Sequence, residues 1–519
     1  MKVLDVATSI ALACIGLLAL SSALMTLADP AEAPFRGRPQ ALAPTAASAG
    51  STPSAFRSFF HWVFYLLTFP VVWPILVLSL IVLVLASTDP ELTSAVPMIG
   101  IGAALVFAIT VIVTRFIPGV PGSLLGAVLT WAVFGWITLW NINPADAQSN
   151  FIVIPVAIVL GLSTPFTVRF IAHHSRQLTL ILGLATAGLL VLPRLVGKPV
   201  NGAYIDVQLG GLSLQVGEIT RVCLILFMGV FLSDRLLLLR IDAVPLFGKR
   251  FTEIPGLRRF SDVHLAHKWD DSIRRPPLKD LLPLAAAGAA TLGLLAINRD
   301  LGTAVVLFAT AVCTVTFATQ RGFFLMASVP IFILALVIGF HFANAAQFSN
   351  RVDAWAHQFE PPVDGRPTQL DNGLHMLSRG DLFGVGVGNG VAVDVTPEVN
   401  KDLVLVVVGE EFGFLGVAGF LMTVAAVGIF GVSAAGKLRH EDPQIERFLS
   451  TVAFAAGVTI LFQVFVVGSG VSALLPLTGL PVPFMSRGAM SILGASVLFG
   501  LIFAGSSAAS ASANYRSWR

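Results

Sequence analysis

The sequence predicts an all-α protein built as a polytopic bundle of membrane-spanning helices. Of its 519 residues, 55% are hydrophobic and only 12% are charged, whereas soluble proteins carry about 25% charged residues. Many apolar runs approach the ~20 residues that a helix needs to cross a hydrocarbon core. Most of the chain is therefore predicted to lie in lipid.

Thirteen apolar segments are candidate spans, and several contain Gly and Pro, which membrane helices tolerate. They lie near residues 6–27, 61–87, 96–114, 121–141, 152–172, 177–196, 219–239, 280–297, 301–319, 322–343, 403–432, 448–470 and 488–510.

Two long polar intervals set the expected orientation. Residues 240–279 hold nine of the 32 Lys and Arg, so the positive-inside rule places this interval in the cytoplasm. Counting spans from there makes the loop 344–401 external. The basic stretch 169–176 is cytoplasmic by the same count, which agrees.

The first 115 residues are expected to contain a membrane span (1–27), an Ala/Pro/Ser-rich linker (28–60) and an extra membrane hairpin (61–115) before a core at 116–515. Lys2, the apolar run and the small residues near Ala28 also fit a cleaved signal peptide. Because Arg36, Arg38 and Arg57 lie in the linker, we expect a retained span with an external N-terminus.

Composition excludes several function classes. Cys14, Cys223 and Cys313 lie in apolar runs without metal-ligand spacing, which favours small buried side chains. The sequence predicts no metal site. It contains no basic surface interleaved with aromatic residues, so nucleic acid is not an expected partner.

Two motifs place polar residues at helix starts. Glu218 and Arg221 are three residues apart, so they share one helix face and can pair; an interfacial helix start is the plainer interpretation. Asp300 lies between two apolar runs, where it can cap the following helix.

The acids Glu410 and Glu411 interrupt the apolar stretch V-V-V-G-E-E-F-G-F-L-G (406–416). Carboxylates at membrane depth are costly and usually face a cavity or a partner. We therefore expect at least one of the two to face the interior and to meet a cation or donor, with Arg487 and Arg221 as the leading candidates. A purely structural ion pair is the alternative interpretation.

The stretch T-G-L-P-V-P-F-M-S-R-G (478–488) breaks the backbone with two prolines and a glycine at the start of a span. Irregular backbone is tolerated at depth only where protein or water satisfies it. Ser486 and Arg487 lie in this stretch, and Arg487 can serve an acid or a phosphate.

Four patterns, in order over residues 121–510, resemble the shape, elongation, division and sporulation (SEDS) family, which includes RodA and FtsW. The family's Q-P-S-E-x-x-K matches at Gln215, Glu218 and Arg221, and P-D-L-G-T matches over 299–303. P-E-x-x-x-D followed by E-E-x-G matches at Pro397, Glu398, Asp402, Glu410, Glu411 and Gly413. T-G-x-P-x-P-F-x-S-x-G is complete over 478–488.

The resemblance implies a ten-span core, with about three extra N-terminal spans, and a glycosyltransferase that polymerises lipid II into peptidoglycan. Such chemistry needs a carboxylate to take a hydroxyl proton and cations to hold a diphosphate. The family's catalytic Asp has no direct counterpart here, and the nearest acids are Glu360, which we favour, and Asp364. Candidate substrate-binding residues are Glu218, Arg221, Asp300, Arg351, Arg379, Asp402, Glu410, Glu411, Ser486 and Arg487.

The same resemblance implies a multi-pass protein of the bacterial cytoplasmic membrane and a class B penicillin-binding protein transpeptidase as partner. A divalent cation is a candidate cofactor. Two alternatives remain open: a flippase for lipid-linked precursors and a non-catalytic scaffold. A transporter would carry polar residues at mid-depth on broken helices of repeated halves, and the sequence shows no internal repeat.

Overall fold

The computed structural model describes residues 122–197, 206–209, 212–241, 278–298, 300–342, 346–357, 368–396, 399–438 and 444–516, with the isolated positions 9, 12, 13, 20, 24 and 204. Thirteen helices lie in these ranges: α1 Gly122–Ile142, α2 Pro144–His173, α3 Ser175–Val196, α4 Val216–Ile241, α5 Leu278–Asn298, α6 Leu301–Thr319, α7 Phe323–Phe342, α8 Ala346–Ala356, α9 Gln369–Gly380, α10 Ala392–Val395, α11 Val404–Leu438, α12 Gln444–Val471 and α13 Ala489–Arg516.

The predicted fold class is confirmed. Within the described ranges, eight helices are long and apolar enough to cross a membrane, and they coincide with predicted segments. The predicted spans 61–87 and 96–114 lie outside the described residues, as do residues 242–277 of the interval 240–279 that is predicted to be cytoplasmic.

Local sequence explains where several helices begin. Asn143 caps α2 by accepting a hydrogen bond from the amide of Ala145, with Pro144 at the first helical position. Thr368 and Asp371 form a reciprocal capping box at the start of α9. Such caps satisfy amide groups that have no partner within the helix.

A short antiparallel hairpin precedes α4, which the all-α prediction did not include. Strand β1, Asp206–Leu209, pairs with β2, Leu212–Gln215, and Leu209 lies opposite Leu212. Only Gly210 and Gly211 separate the strands. Glycine pairs suit two-residue hairpin connections because they adopt positive φ without steric cost.

Helix α12 lies at the centre of the bundle and packs against α4, α6, α11 and α13. Its inner face contains small residues, so neighbouring backbones approach closely. By contrast, α3 exposes apolar side chains such as Leu180, Leu184 and Leu195. In a membrane protein such a face contacts lipid.

Helix α11 is interrupted at Gly413, whose φ of 66° and ψ of −168° are not helical. Residues 381–386, here called the 381–386 loop, enter the break. Four backbone hydrogen bonds of 2.9–3.2 Å link the two segments, from Val385 and Gly386 to the carbonyls of Glu410 and Glu411, and from Phe414 and Leu415 to the carbonyls of Asp381 and Leu382. The loop therefore satisfies the backbone groups that the broken helix leaves unpaired.

Candidate functional site

A buried ionic centre lies where α4 meets α12. The Nη1 atom of Arg221 is 3.0 Å from Oε2 of Glu218 and donates at 2.6 Å to Oε1 of Gln463. Gln463 in turn donates to the carbonyl of Pro481 at 2.8 Å. Glu218 and Arg221 are both buried, so the pair forms as the spacing predicted, and Gln463 connects it to the irregular 472–488 segment.

Asp300 lies next to this centre and caps α6, as predicted, by accepting a hydrogen bond from the amide of Thr303 at 3.1 Å. A Cβ atom built on Gly217 of α4 would lie 3.6 Å from Oδ2 of Asp300, so α4 and the start of α6 are in contact. Burial raises the pKa of Asp300, while the bonds from Thr303 and the charges of Arg221 and Arg351 lower it.

Arg351 and Asp402 meet around Gly479, in the loop between α12 and α13. Gly479 has a positive φ of 74°, and a Cβ atom built there would lie 3.4 Å from Nη2 of Arg351 and 3.7 Å from Oδ2 of Asp402. Arg351 also donates to the carbonyl of Leu477 at 3.2 Å. Trp355, one turn further along α8, donates to the carbonyl of Ala473 at 2.8 Å. Helix α8 is therefore anchored to this loop.

Arg487 pairs with Asp146 at the start of α2. Its Nε atom is 3.1 Å from Oδ1 of Asp146, and its amide donates to the carbonyl of Asn400 at 2.7 Å. Asn400 also donates to Oδ2 of Asp146 at 2.8 Å. Ser486 donates to the carbonyl of Lys401 and accepts from the amide of Val482. These hydrogen bonds join the end of the predicted external loop to α2 and to the segment before α13.

Glu410 is fully buried and holds two elements of the predicted external loop. It accepts a hydrogen bond from Nη1 of Arg379 at 2.9 Å, at the end of α9. It also accepts from the amides of Val391 at 3.1 Å and Ala392 at 2.9 Å, at the start of α10. The carboxylate thus ties α9 and α10 to α11.

Glu411 points to a different set of donors, as the ~100° rotation between adjacent helical residues requires. Its Oε1 atom accepts from Nδ2 of Asn141 on α1 and from the amide of Gly388 at 3.2 Å. Its Oε2 atom is buried and accepts no hydrogen bond from the described residues. Both acids therefore face the protein interior.

The prediction that Glu410 or Glu411 meets a cation or donor inside the protein is confirmed, but the expected partners were wrong. Arg221 pairs with Glu218 on its own helix and Arg487 pairs with Asp146, whereas Arg379 reaches Glu410. Both expected cations have acids nearer to them in the fold.

Sequence reasoning missed four polar residues of these clusters. They are Asn141, Asp146, Asn400 and Gln463. Of the four, Gln463 is the one that the sequence could have indicated, because it interrupts the apolar run 448–470. The candidate bases Glu360 and Asp364 lie outside the described residues. Among the residues that are described, no group of three or more potential ligands could hold a metal ion.

These features define a class: a multi-pass helical membrane protein in which a buried ion pair, Glu218–Arg221, and a buried carboxylate, Glu410, link the helices to the segments between them. A family model described as a cell cycle protein, FtsW/RodA/SpoVE, matches residues 123–510. The chain belongs to this family.

Curated relatives agree with this assignment. The chain is 30% identical over 341 residues to the peptidoglycan glycosyltransferase RodA of Mycobacterium tuberculosis strain H37Rv, covering 64% of this chain and 65% of that protein. It is 26% identical over 382 residues to FtsW of Shewanella sediminis, covering 71% of this chain and 82% of that protein. The chain thus spans about 65% of the length of the mycobacterial relative it matches.

A solved chain from a peptidoglycan synthase complex that coordinates polymerisation and crosslinking has the same fold. The TM-score is 0.52 at 20% identity, over 74% of this chain and 97% of that chain.

Proposed function

We propose that this chain is a peptidoglycan glycosyltransferase that polymerises lipid II in the bacterial cytoplasmic membrane. The observation that supports it most is that residues from each of the family's four motifs lie against the 472–488 segment or against each other. Gln463 links the Glu218–Arg221 centre to Pro481, Asp300 lies beside Gly217, and Arg351 and Asp402 both lie beside Gly479. Family resemblance alone could not establish that these side chains meet.

The proposed reaction joins two saccharides. A sugar 4-hydroxyl attacks the anomeric carbon, the new glycosidic C–O bond forms, the C–O bond to the diphosphate breaks, and the hydroxyl proton passes to a carboxylate. Glu360, or else Asp364, is the proposed base. Both acids lie between α8 and α9 in the sequence, and these helices are anchored by Arg351, Trp355 and Arg379.

The diphosphate needs cations that are accessible to it. Arg487 suits this role because its side chain is 56% exposed, and an arginine fork can hold phosphate oxygens in two places at once. Arg221 is 1% exposed and is therefore proposed to act through Glu218 and Gln463, fixing the shape of the centre. A divalent cation remains a candidate aid to the leaving group.

The proposed orientation puts the loop 344–401 outside the cell and residues 240–279 in the cytoplasm. The proposed partner is a class B penicillin-binding protein transpeptidase. Single-cysteine labelling of intact cells tests the orientation. Ser378→Cys should react with an impermeant reagent and Ser261→Cys should not; the reverse result would overturn the orientation.

Polymerisation of lipid II by the purified full-length protein, with and without a transpeptidase partner, tests the activity. Glu360→Gln should lower the rate by about 10²–10⁴, the usual effect of losing a general base, while the protein stays folded. Asp364→Asn tests the alternative base and should leave the rate unchanged if Glu360 is the base. If Asp364→Asn is the damaging change, the base is reassigned; if both variants keep full activity, the proposed chemistry fails.

A further inference from the structure

The described residues of the N-terminal segment contact α11 at its break. Ser9 is fully buried, and its hydroxyl donates to the carbonyl of Phe383 at 2.9 Å. Leu12 is buried in the main hydrophobic core. Residues 9, 12 and 13 are helical. The family match begins only at residue 123, so this contact belongs to the part of the chain that the family does not explain.

The contact requires glycine at position 419. A Cβ atom built on Gly419 would lie 2.4 Å from the carbonyl oxygen of Leu12 and 2.7 Å from the amide nitrogen of Ala13. The backbone of Leu12 and Ala13 therefore leaves no room for a side chain at this position. Such close approach between helices in lipid depends on small residues, because packing replaces the hydrophobic driving force.

Two contacts also fix the direction of the N-terminal segment. Ser9 meets Phe383, which lies in the 381–386 loop at the level of the break, while Leu12 meets Gly419, six residues beyond Gly413. From Ser9 to Leu12 the chain therefore runs in the same direction as α11. If α11 enters from the outer face, Ser9 lies nearer to that face than Leu12.

We propose that the N-terminal segment is an intramolecular docking partner of the α11 break, and that it positions the 381–386 loop for glycan polymerisation. The positioning part rests on the proposed function. The loop connects α9, which follows the candidate bases in sequence, to the segment held by Glu410. Ser9 binds the loop itself, through the carbonyl of Phe383, whereas Glu410 binds the residues that follow the loop.

Cysteine crosslinking tests the docking independently of activity. In a background without Cys14, Cys223 and Cys313, the pair Ser9→Cys and Phe383→Cys should be joined by a short bifunctional maleimide, which tolerates side-chain directions that a disulfide does not. The control pair Ser9→Cys and His174→Cys should not, because His174 lies at the predicted cytoplasmic end of α2. Absence of the first crosslink, or of residues 1–27 from the mature chain, would overturn the docking.

Two glycine variants of one helix test the positioning. Gly419→Ala places a methyl group against the Leu12 backbone, whereas Gly436→Ala meets nothing within 4 Å. Gly419→Ala should lower kcat for lipid II polymerisation by about 10-fold to 10²-fold, as misplacement of a catalytic group does, with KM unchanged. Gly436→Ala should match the parent protein.

Two milder variants test the positioning if Gly419→Ala does not fold. Ser9→Ala removes the hydrogen bond to Phe383 and should lower kcat, whereas Ser9→Thr keeps a hydroxyl and should have a kcat closer to that of the parent protein. If the Ser9→Cys and Phe383→Cys pair crosslinks but Gly419→Ala or Ser9→Ala leaves kcat unchanged, the N-terminal segment docks without positioning the 381–386 loop, and that part of the proposal is refuted. If the parent protein itself does not polymerise lipid II, the proposed function fails and crosslinking still decides the docking.

Discussion

Replacing Glu410 by alanine should destabilise the protein mainly through two backbone amides. The carboxylate is fully buried and accepts hydrogen bonds from Val391 at 3.1 Å and Ala392 at 2.9 Å, besides the 2.9 Å bond from Arg379. Leaving a buried donor unpaired costs about 1–3 kcal/mol. Two such donors give about 2–6 kcal/mol for Glu410→Ala.

The ion pair with Arg379 should contribute less. The Arg379 side chain is 41% exposed, so water can hydrate the guanidinium when its partner is removed, and pairs open to solvent are worth about 0–1 kcal/mol. In a double-mutant cycle, Glu410→Ala and Arg379→Ala should therefore couple by about 1 kcal/mol or less.

Denaturant unfolding of the purified protein in detergent, followed by tryptophan fluorescence, measures these differences. Asp394→Ala is the matched control, because Asp394 lies on the same short helix as Ala392 with an exposed side chain, and it should change stability by under about 0.5 kcal/mol. If Glu410→Ala is as stable as this control, the reasoning is refuted. A coupling energy that equals the whole loss would assign the stabilisation to the ion pair instead.

Three further changes test other parts of the structure. Asp146→Ala should cost more unfolding free energy than Arg487→Ala, by about 0.5–1.5 kcal/mol, the net worth of one hydrogen bond. Asp146 accepts from both Arg487 and Asn400, and it keeps the bond from Asn400 when Arg487 is removed; equal losses would contradict this. Gly413→Ala should lower the unfolding temperature, whereas Gly436→Ala should not. The φ of 66° and ψ of −168° of Gly413 belong to a region essentially restricted to glycine, where another residue costs about 1–3 kcal/mol, and a Cβ atom there would lie 2.3 Å from the amide nitrogen of Gly384. Because burial raises the pKa of Asp300, the folded protein holds this proton more tightly than the unfolded chain, so its contribution to stability is lost as pH rises above about 4. Asp300→Asn, which can still cap the helix, should reduce that decline in unfolding scans across pH; an unchanged slope would refute the assignment.

Features that depend on neighbouring residues were predictable from the sequence. Glu218 and Arg221 pair because a spacing of three places both on one helix face, and Asp300 caps α6 because it directly precedes an apolar helix. Burial of Glu410 followed from its apolar surroundings. The helix segments followed from apolar runs of spanning length. Each inference uses geometry that a helix imposes within one or two turns.

The long-range partners were decided only by the tertiary structure. Arg379 reaches Glu410 because the chain folds back from α9 onto α11, and Asn141 reaches Glu411 across 270 positions. The sequence offered Arg487 and Arg221 as equally suitable cations, since charge alone does not rank partners. It also gave no sign that Gly413 would break α11 and admit a loop, because a glycine within an apolar run fits an uninterrupted span equally well. Helix spacing fixes which side chains share a face, but only the packing of helices against each other fixes which faces meet.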